Sequence, residues 1–428
     1  MPAALISLAA GLGSMLPAPQ AAADAASMAG SPAQLAVSAR PVTAYVVNIG
    51  SGTVTPIRTA TDTARRPIAV GRRPYTIAIT PDGKTAYAAN AVSGTVTPIT
   101  TATNTARRPI KVGSYPWAIA ITPDGKAAYV ANAVSGTVTP ITTATNTARR
   151  PIKVGTDPWA IAITPDGKTA YVTNEGAGTL TPITTATNTA GPPIPVGSGP
   201  DAIAITPDGK TAYAANADSG TVTPITTATN TAGPPIPVGS GPDAIAITPD
   251  GKTAYAANPG SGTVTPIATA TDEPGKPITV GTGGPPPGAI TPDGGTADVA
   301  SVATARSGTK TPIATVTSKP GRPITGGSGP EKIAITPNGK TAYVTSWGSG
   351  TVTPIATATN TAGPPIPVGK GPENIAITPG GKTAYVADKG SDTVTPITTA
   401  TNTAAPPIPV GRGPISIAIT GRHVSLKG

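Results

Sequence analysis

The chain has 428 residues, a formal net charge of +10, 51 glycines, 53 prolines, no cysteine and a single histidine. The absence of cysteine excludes disulfides, thiolate metal sites and cysteine nucleophiles. With His423 alone near the C-terminus, serine–histidine catalysis and zinc or copper sites lack their ligands or bases. Hydrophobic residues make up 38% and fall in short alternating runs, which favours many short strands over a disordered chain.

The N-terminal segment predicts export. Residues 3–16 form an apolar run, and small residues suited to cleavage after about Ala23 or Ala25 follow it. No basic residue precedes the run, so an alanine-rich leader is the alternative. We therefore divide the chain into a signal-like or disordered leader, 1–30, and a repeat domain, 31–428. The sequence has no stretch of eighteen or more apolar residues, so no membrane span is predicted. We expect an extracellular or cell-surface location.

One turn motif, Pro-Asp-Gly-Lys, sets the period of the repeat. Its prolines follow one another at 42 residues from Pro81 to Pro249, and Pro292, Pro337 and Pro379 continue the series. Each unit holds four strand-like runs, which we name A to D. In the unit that begins at Pro200, strand A is 202–206, strand B is 211–216 and strand C is 221–225. Residues 193–197 show strand D in the preceding unit. This pattern is typical of a propeller blade.

The runs predict an all-β fold, a β-propeller of four-stranded antiparallel blades built from nine repeats of about 42 residues. Strand A occurs ten times and the others nine times, so we expect the C-terminal copy, 416–420, to complete the first blade and displace the run at 34–38. Nine blades exceed the usual four to eight. A smaller ring with surplus units therefore stays open.

Residues 171–174 read Tyr-Val-Thr-Asn, and close variants occur at 45–48, 129–132, 343–346 and 385–388. Over residues 31–420 the chain resembles the YVTN family of β-propeller repeats, known from bacterial and archaeal surface-layer and other exported proteins. The resemblance implies the fold and a cell-surface setting, but no activity, because the family is defined by its repeat.

The chain departs from that family in two ways. Strand C carries a proline in every unit, so we expect the outer part of each blade to be short and poorly paired. The unit at about 281–325 has Asp298 in place of the repeat tyrosine and lacks much of strand A, which predicts a distorted blade. The prolines are Pro56, Pro98, Pro140, Pro182, Pro224, Pro266, Pro312, Pro354 and Pro396.

The repeated acids are interpreted as structural. An aspartate in a Pro-Asp-Gly-Lys turn normally caps its own backbone, and we prefer that role to calcium binding or catalysis. No Walker-type loop occurs, since the glycine-rich run at 281–286 is interrupted by proline. We expect no cofactor and no metal. The turn aspartates are Asp82, Asp124, Asp166, Asp208, Asp250 and Asp293.

A candidate ligand face appears where the copies differ. The D–A and B–C loops should share one face, and the variable aromatic and acidic residues fall in them, aromatic on one arc and acidic on the next. Aromatic and acidic side chains at the opening of the central channel suit sugars, peptides or cationic ligands. The alternative is that the loop aromatics only cover the channel. The candidates are Tyr75, Tyr115, Trp117, Asp157, Trp159, Glu175, Asp201, Asp243, Glu331, Trp347 and Glu373.

A second candidate is a basic patch, which we assign to C–D loops on the opposite face. Turn lysines there are offset by turn aspartates, whereas paired arginines in the first three units are not. Cell-wall polyanions are possible ligands, and a solvated rim is the alternative. Nucleic acid is not expected, because no aromatics are interleaved. The arginines are Arg65, Arg66, Arg107, Arg108, Arg149 and Arg150.

These observations predict a non-enzymatic exported propeller that binds or scaffolds at the cell surface. Its partners would be a cell-wall glycan, a surface polymer or another protein. One alternative is a propeller hydrolase of lactonase or lyase type, which would need clustered acids in the channel. The other is a cell-wall polyanion-binding module.

Overall fold

The computed structural model describes residues 42–280, 289–290, 296–304, 307–314, 319–320, 324–325 and 328–421. The predicted leader at 1–30, the apolar run at 34–38, Asp293 and His423 lie outside the described residues. No helix among the described residues is long and apolar enough to cross a membrane.

Every sequence unit forms an antiparallel sheet with the same strand order, with strands A, B and C side by side and an outer strand D broken into two halves. Strands A are Pro74–Ile79, Pro116–Ile121, Pro158–Ile163, Pro200–Ile205, Ala244–Ile247, Ala289–Ile290, Pro330–Ile335, Pro372–Ile377 and Pro414–Ile419. Strands B are Thr43–Asn48, Thr85–Asn90, Ala127–Asn132, Thr169–Asn174, Thr211–Asn216, Thr253–Asn258, Thr296–Thr304, Thr341–Ser346 and Thr383–Asp388.

Strand C is about as long as strands A and B, and strand D consists of two-residue pieces. Strands C are Thr53–Arg58, Thr95–Thr100, Thr137–Thr142, Thr179–Thr184, Thr221–Thr226, Thr263–Ala268, Ser307–Ala314, Thr351–Ala356 and Thr393–Thr398. The first halves of strand D are Thr63–Ala64, Thr105–Ala106, Thr147–Ala148, Thr189–Ala190, Thr231–Ala232, Glu273–Pro274, Lys319–Pro320, Thr361–Ala362 and Thr403–Ala404. The second halves are Ile68–Ala69, Ile110–Lys111, Ile152–Lys153, Ile194–Pro195, Ile236–Pro237, Ile278–Thr279, Ile324–Thr325, Ile366–Pro367 and Ile408–Pro409. A 3₁₀ turn spans Glu175–Ala177.

The all-β propeller with antiparallel blades is confirmed. Eight blades are described with their side chains, and the seventh unit, within 289–325, is described almost entirely by its strand pairing. The predicted total of nine blades in one ring therefore stays a prediction. The C-terminal strand, Pro414–Ile419, pairs with Thr43–Asn48, which confirms that the last residues complete the first sheet.

The prolines of strand C coincide with the break in strand D. Pro224 lies opposite Tyr213 in register, and its carbonyl accepts a hydrogen bond from Gly233 N at 2.8 Å. The backbone N and O of one strand residue point to the same side. Since the oxygen of Pro224 bonds to Gly233, the nitrogen of Pro224, which lacks a hydrogen, also faces the gap in strand D and not strand B. The outer part of the blade is short, as predicted, and strand C stays regular without a bulge.

The repeat tyrosines are packed between blades and also hydrogen-bonded. Tyr171 is fully buried, and its hydroxyl donates to Asn230 Oδ1 of the next unit at 2.6 Å. Asn230 has a φ of 55°, a left-handed conformation that asparagine tolerates better than most residues. The threonine-rich C–D loop therefore supplies each neighbouring blade with an acceptor. Tyr385 reaches Asp62 in the same way, across the junction between the last unit and the first.

The seventh unit departs from this design, as the sequence predicts. Its strand A is only two residues, Ala289–Ile290, and its B and C strands are longer than elsewhere. By repeat position, Asp298 stands where a tyrosine would reach Asn360. The Oδ1 atom of Asn360 is buried without a hydrogen-bond partner.

The turn aspartates cap their own turns. Asp166 Oδ1 accepts hydrogen bonds from Thr164 Oγ1 at 2.6 Å and from Lys168 N at 3.0 Å. These bonds lower the pKa of Asp166, because they favour the charged carboxylate. The structural role predicted from the turn sequence is confirmed at Asp166, and the described aspartate turns repeat the geometry.

Candidate functional site

The D–A and B–C loops form one face of the molecule. In most units a B–C residue donates its backbone N–H to the residue before the D–A proline, as in Ala91 N to Arg73 O at 2.9 Å and Trp347 N to Gly329 O at 2.7 Å. On the other face, Thr101 of a C–D loop donates to Lys84 O of an A–B turn. The grouping predicted from strand direction is therefore confirmed.

In most units a β-bulge in strand A inserts the variable residue, whereas in the sixth unit strand A begins at Ala244, directly after Asp243, and has no bulge. The pairing of strands A and B shifts between Pro200 and Ala202, which leaves Asp201 as the extra residue. The same shift occurs at Tyr75, Trp117, Glu331 and Glu373. Bulges re-aim a side chain and are frequent beside functional sites. We call the set of variable residues at the start of the A strands the mouth.

The aromatic arc of the mouth packs upon itself. Trp117 stacks on Tyr75 with ring centroids 4.0 Å apart and lies 4.5 Å from Trp159, so a neighbouring ring lies close on each side of it. Tyr115 is the next ring, at 5.9 Å. Trp117 is only 7% exposed. Trp117 is therefore covered by its neighbours and does not offer an open ring face, because adjacent blades bring these side chains into contact.

The acidic arc follows around the ring. Burial, with the negative charges of Glu175 and Asp218 added, raises the pKa of Asp201 to about 7. Burial raises the pKa of Asp243 to about 7, and the charge of Asp201 adds to it. Glu331 behaves alike, with burial first and Glu373 second raising its pKa to about 7. Near neutral pH these carboxyl groups can therefore gain or lose charge when a ligand binds.

Two further candidates join this arc. The pKa of Glu175 is raised by burial and then by Asp157, which places both at the end of the acidic arc nearest Trp159. Trp347, the one aromatic candidate that is well exposed, at 41%, lies at the far end. Lys389 Nζ is 5.4 Å from its ring centroid and 3.1 Å from Glu373 Oε2.

Sequence comparison missed Asp218, Lys332 and Lys389. Lys332 lies one residue after the bulge, where other units have alanine, threonine, asparagine or serine. Burial lowers its pKa, while Glu331, Asp243 and Glu373 oppose that shift. A charged residue in an apolar strand was the available signal. The next column of the repeat alignment would have shown it.

Three neighbouring units hold unusual backbone at the mouth. The residue before the D–A proline is glycine in most units, with positive φ, but it is Arg73, Tyr115 and Asp157 in the second to fourth units, with φ of 50°, 57° and 49°. A left-handed conformation costs a non-glycine residue about 1–2 kcal/mol. Such strain clusters at functional sites, and here it lies beside the aromatic arc.

The arginine pairs lie elsewhere than predicted. Arg107 N donates to Pro98 O at 2.7 Å and Arg149 N to Pro140 O at 2.8 Å, so both pairs occupy the break in strand D. They therefore lie on the outer edge of the blades and not in the C–D turns. No group of three or more histidine, cysteine or acidic residues that could hold a metal ion occurs within the described ranges.

Comparison with known proteins gives a family match and several similar structures. A family model described as YNCE-like beta-propeller matches residues 2–111 and 95–179. No curated protein matches the chain at a significant level. The solved structure of hydrazine synthase from Kuenenia stuttgartiensis is 25% identical, with a TM-score of 0.51, and covers 76% of this chain and 96% of that one.

Two further structures share the fold at lower identity. Dihydro-heme d1 dehydrogenase NirN, in complex with DHE, is 14% identical with a TM-score of 0.63, covering 91% of this chain and 77% of that one. AztD from Citrobacter koseri is 11% identical with a TM-score of 0.59, covering 90% and 100%. The repeats, the antiparallel blades and the family match over residues 2–179 together support a YVTN-type β-propeller repeat protein.

Proposed function

We propose that this propeller is a non-enzymatic binding protein whose ligand site is the mouth. The observation that carries the proposal is the variable position at the start of strand A, where a bulge in most units places one changing side chain at the mouth beside a largely constant strand B. A structural ring needs no such variation. The strained backbone of Arg73, Tyr115 and Asp157 supports the same site, because its cost persists in three neighbouring units.

The ligand that fits best carries a protonated amine beside an apolar surface. Asp201, Asp243 and Glu331 can supply negative charge to a cation, and binding of the cation would recover part of the cost of burying that charge. The half-buried rings of Tyr75 and Trp159 offer apolar contact, and a cation that reaches a free ring face would gain cation–π attraction. An amine-bearing cell-wall glycan, surface polymer or peptide meets both requirements.

The same carboxyl groups favour one alternative, a hydrolase of lactonase or lyase type. General acid–base catalysis works best with groups that titrate near the operating pH, and Asp201, Asp243 and Glu331 do so. The solved structures that share the fold include enzymes by name. Turnover of a lactone or a uronate polymer by the purified chain, lost in Asp201→Asn, would replace our proposal.

We also propose that the protein is exported and works at the cell surface. The apolar run at 3–16 and the small residues after it support export. N-terminal sequencing of protein recovered from the medium or cell wall should begin after about Ala23 or Ala25, and an intact leader on that protein would contradict export by this signal.

We further infer that all nine units close into one ring. Nine sheets pair in the same manner, and the Tyr385–Asp62 hydrogen bond joins the last unit to the first. Image averages viewed down the ring axis should show nine blades, and a smaller number would leave units outside the ring.

The binding proposal predicts a pH dependence of a defined sign. Carboxyl groups with a pKa of about 7 are mostly neutral at pH 6 and mostly charged at pH 8. Retention of the protein on purified cell wall should therefore increase severalfold between these values. Asp201→Asn with Asp243→Asn should abolish both the retention and its pH dependence.

The control lies in the same two units. Asp208→Asn with Asp250→Asn removes two turn carboxylates that are paired with Lys210 and Lys252 on the opposite face. Their loss should leave retention unchanged. Equal losses in both double variants, or none in either, would contradict a ligand site at the mouth.

A further inference from the structure

The net positive charge of the protein comes from one quarter of its chain. Residues 58–153 contain thirteen lysines and arginines and three aspartates, whereas the remainder has seventeen of each sign. The whole formal charge of +10 therefore belongs to the first three units. These units are neighbours in the ring, since Tyr45 donates to Asn104 and Tyr87 to Asn146.

The structure gathers these cations on the outer edge. Eight of them lie in or directly after the break in strand D, and all eight are exposed. We call this set the basic stripe; it consists of Arg65, Arg66, Arg107, Arg108, Lys111, Arg149, Arg150 and Lys153. No carboxylate forms an ion pair with any of them among the described residues, in contrast to turn lysines such as Lys84, which binds Asp82 at 3.1 Å.

Two of the guanidinium groups are held in the same orientation. Arg107 Nε donates to Thr100 Oγ1 at 2.9 Å, and Arg149 Nε donates to Thr142 Oγ1 at 2.9 Å. The terminal amino groups of both arginines remain free for two parallel hydrogen bonds to an oxyanion. A side chain that is already ordered loses less entropy when it binds. The repeat thus presents equivalent anion-binding groups in successive units.

We propose that the basic stripe docks a linear polymer with phosphate in each repeat, running along the outer edges of the first three units. One arginine pair per unit matches a repeated anion better than a single small one. Phosphate accepts two parallel hydrogen bonds from a guanidinium group, and its negative charge also attracts the ammonium group of lysine. The stripe has no interleaved aromatic ring, so unstacked bases would find nothing to stack on.

The repeat provides its own matched replacement. Units four and five carry glycine and two prolines where units two and three carry two arginines and a lysine. Their backbone is the same, since Gly233 N donates to Pro224 O at 2.8 Å as Arg107 N does to Pro98 O. The exchanged variant, which should fold normally, is Arg107→Gly, Arg108→Pro, Lys111→Pro, Arg149→Gly, Arg150→Pro and Lys153→Pro.

Two controls accompany it. The first removes six cations elsewhere by changing the turn lysines to glutamine, at Lys84, Lys126, Lys168, Lys210, Lys252 and Lys340. The second restores the stripe in a new place within the exchanged variant, by Gly191→Arg, Pro192→Arg, Pro195→Lys, Gly233→Arg, Pro234→Arg and Pro237→Lys. Thr184 and Thr226 stand ready there in the positions of Thr100 and Thr142.

The probe is long-chain sodium polyphosphate, with binding measured by calorimetry between about 50 and 200 mM salt. The exchanged variant should bind at least tenfold more weakly, and its log–log salt slope should fall by about 4, since each lost phosphate contact contributes roughly 0.7. The turn-lysine variant should keep most of the affinity, and the relocated stripe should recover it.

Three outcomes would overturn the proposal. Equal losses in the exchanged and turn-lysine variants would show that net charge alone attracts the polymer. If the relocated stripe did not recover binding, the outer edge of the blades would not be the binding surface. Stripe-dependent binding to vesicles of anionic phospholipid, without binding to polyphosphate, would assign the surface to a membrane instead.

Discussion

Asp388 occupies the buried position at the end of strand B where most units have asparagine. In the fifth unit, Asn216 Nδ2 donates to Thr221 and Thr223 at 3.1 and 3.0 Å. Asp388 has no donor when ionised, and its Oδ2 instead accepts from Thr395 at 2.6 Å. The residue is 0% exposed, and burial raises its pKa to about 6. An amide-to-acid change thus makes one inter-strand contact sensitive to pH.

Asp388→Asn should stabilise the protein at pH 7.5 and not at pH 4. The folded state holds the proton of Asp388 more tightly than the unfolded chain does. That contribution is complete below pH 4 and is lost as the pH rises through 6. A shift of this size corresponds to about 1–3 kcal/mol at neutral pH. Denaturant midpoints at both values would measure it.

The reciprocal change serves as the control. Asn216→Asp should destabilise the fifth unit by a similar amount at pH 7.5 and by less at pH 4. A benefit of Asp388→Asn that does not vary with pH would mean that the carboxyl is not the cause.

At the residue scale, comparison of the copies identified variable positions at the mouth but assigned them to D–A loops, whereas the structure places them within strand A. Tyr75, Trp159 and Asp201 stood out because the repeat varies there, and they lie at the mouth. Lys332 and Asp388 were not predicted, because both lie in strands whose alternating pattern indicates a packing role only. The burial of Trp117 depends on the spacing between adjacent blades, which no single unit specifies.

At the scale of the elements, the alternation of short apolar runs and turns was sufficient to predict the strands and their antiparallel order. The split of strand D was predicted only as poor pairing, because proline signals a missing donor but not where the partner strand breaks. The Tyr–Asn hydrogen bonds between units were not predicted at all. Their partners lie 59 residues apart, as in Tyr171 and Asn230, and local patterns carry no such information.

Asn230→Gly should cost about 1 kcal/mol, because the buried hydroxyl of Tyr171 loses its best acceptor while the left-handed backbone is relaxed. Asn360→Gly is the matched control. Asn360 has the same backbone conformation, with φ of 52°, but its Oδ1 has no partner. That change should be neutral or slightly stabilising in the same unfolding assay. Equal costs at both positions would show that the hydrogen bond contributes nothing.

At the scale of the whole molecule, the sheet of the first unit is assembled from both ends of the chain. Thr43–Asn48 and Thr53–Arg58 come from the start of the repeat domain, and Pro414–Ile419 comes from its end. Val46 and Ile417 are buried together in one hydrophobic cluster with Tyr385 of the last unit. The first sheet therefore holds its two neighbours only when the C-terminal strand is in place.

Deletion of residues 412–428 should broaden the thermal unfolding transition and lower its midpoint by more than 10 °C, roughly what the loss of several kcal/mol causes in a chain of this size. It should also expose apolar surface to a hydrophobic dye, because Val46 and Ala44 lose their cover. Deletion of residues 422–428 alone, which keeps the strand, is the control. A sharp, unshifted transition in the longer deletion would show that strand pairing at this junction does not stabilise the ring.

The order of synthesis gives this junction a further consequence. Each sheet from the second unit onward can form as soon as its own residues are made, but the first sheet must wait for the final strand. Until then the edge of Thr43–Asn48 lacks the partner strand Pro414–Ile419, and an edge without its partner is a template for strand addition. Every prematurely terminated chain keeps that edge open, however many sheets it has completed. Only a full-length chain can therefore pair Thr43–Asn48 with its C-terminal partner strand. A protease or chaperone that binds free strand edges would act on unfinished chains and not on finished ones.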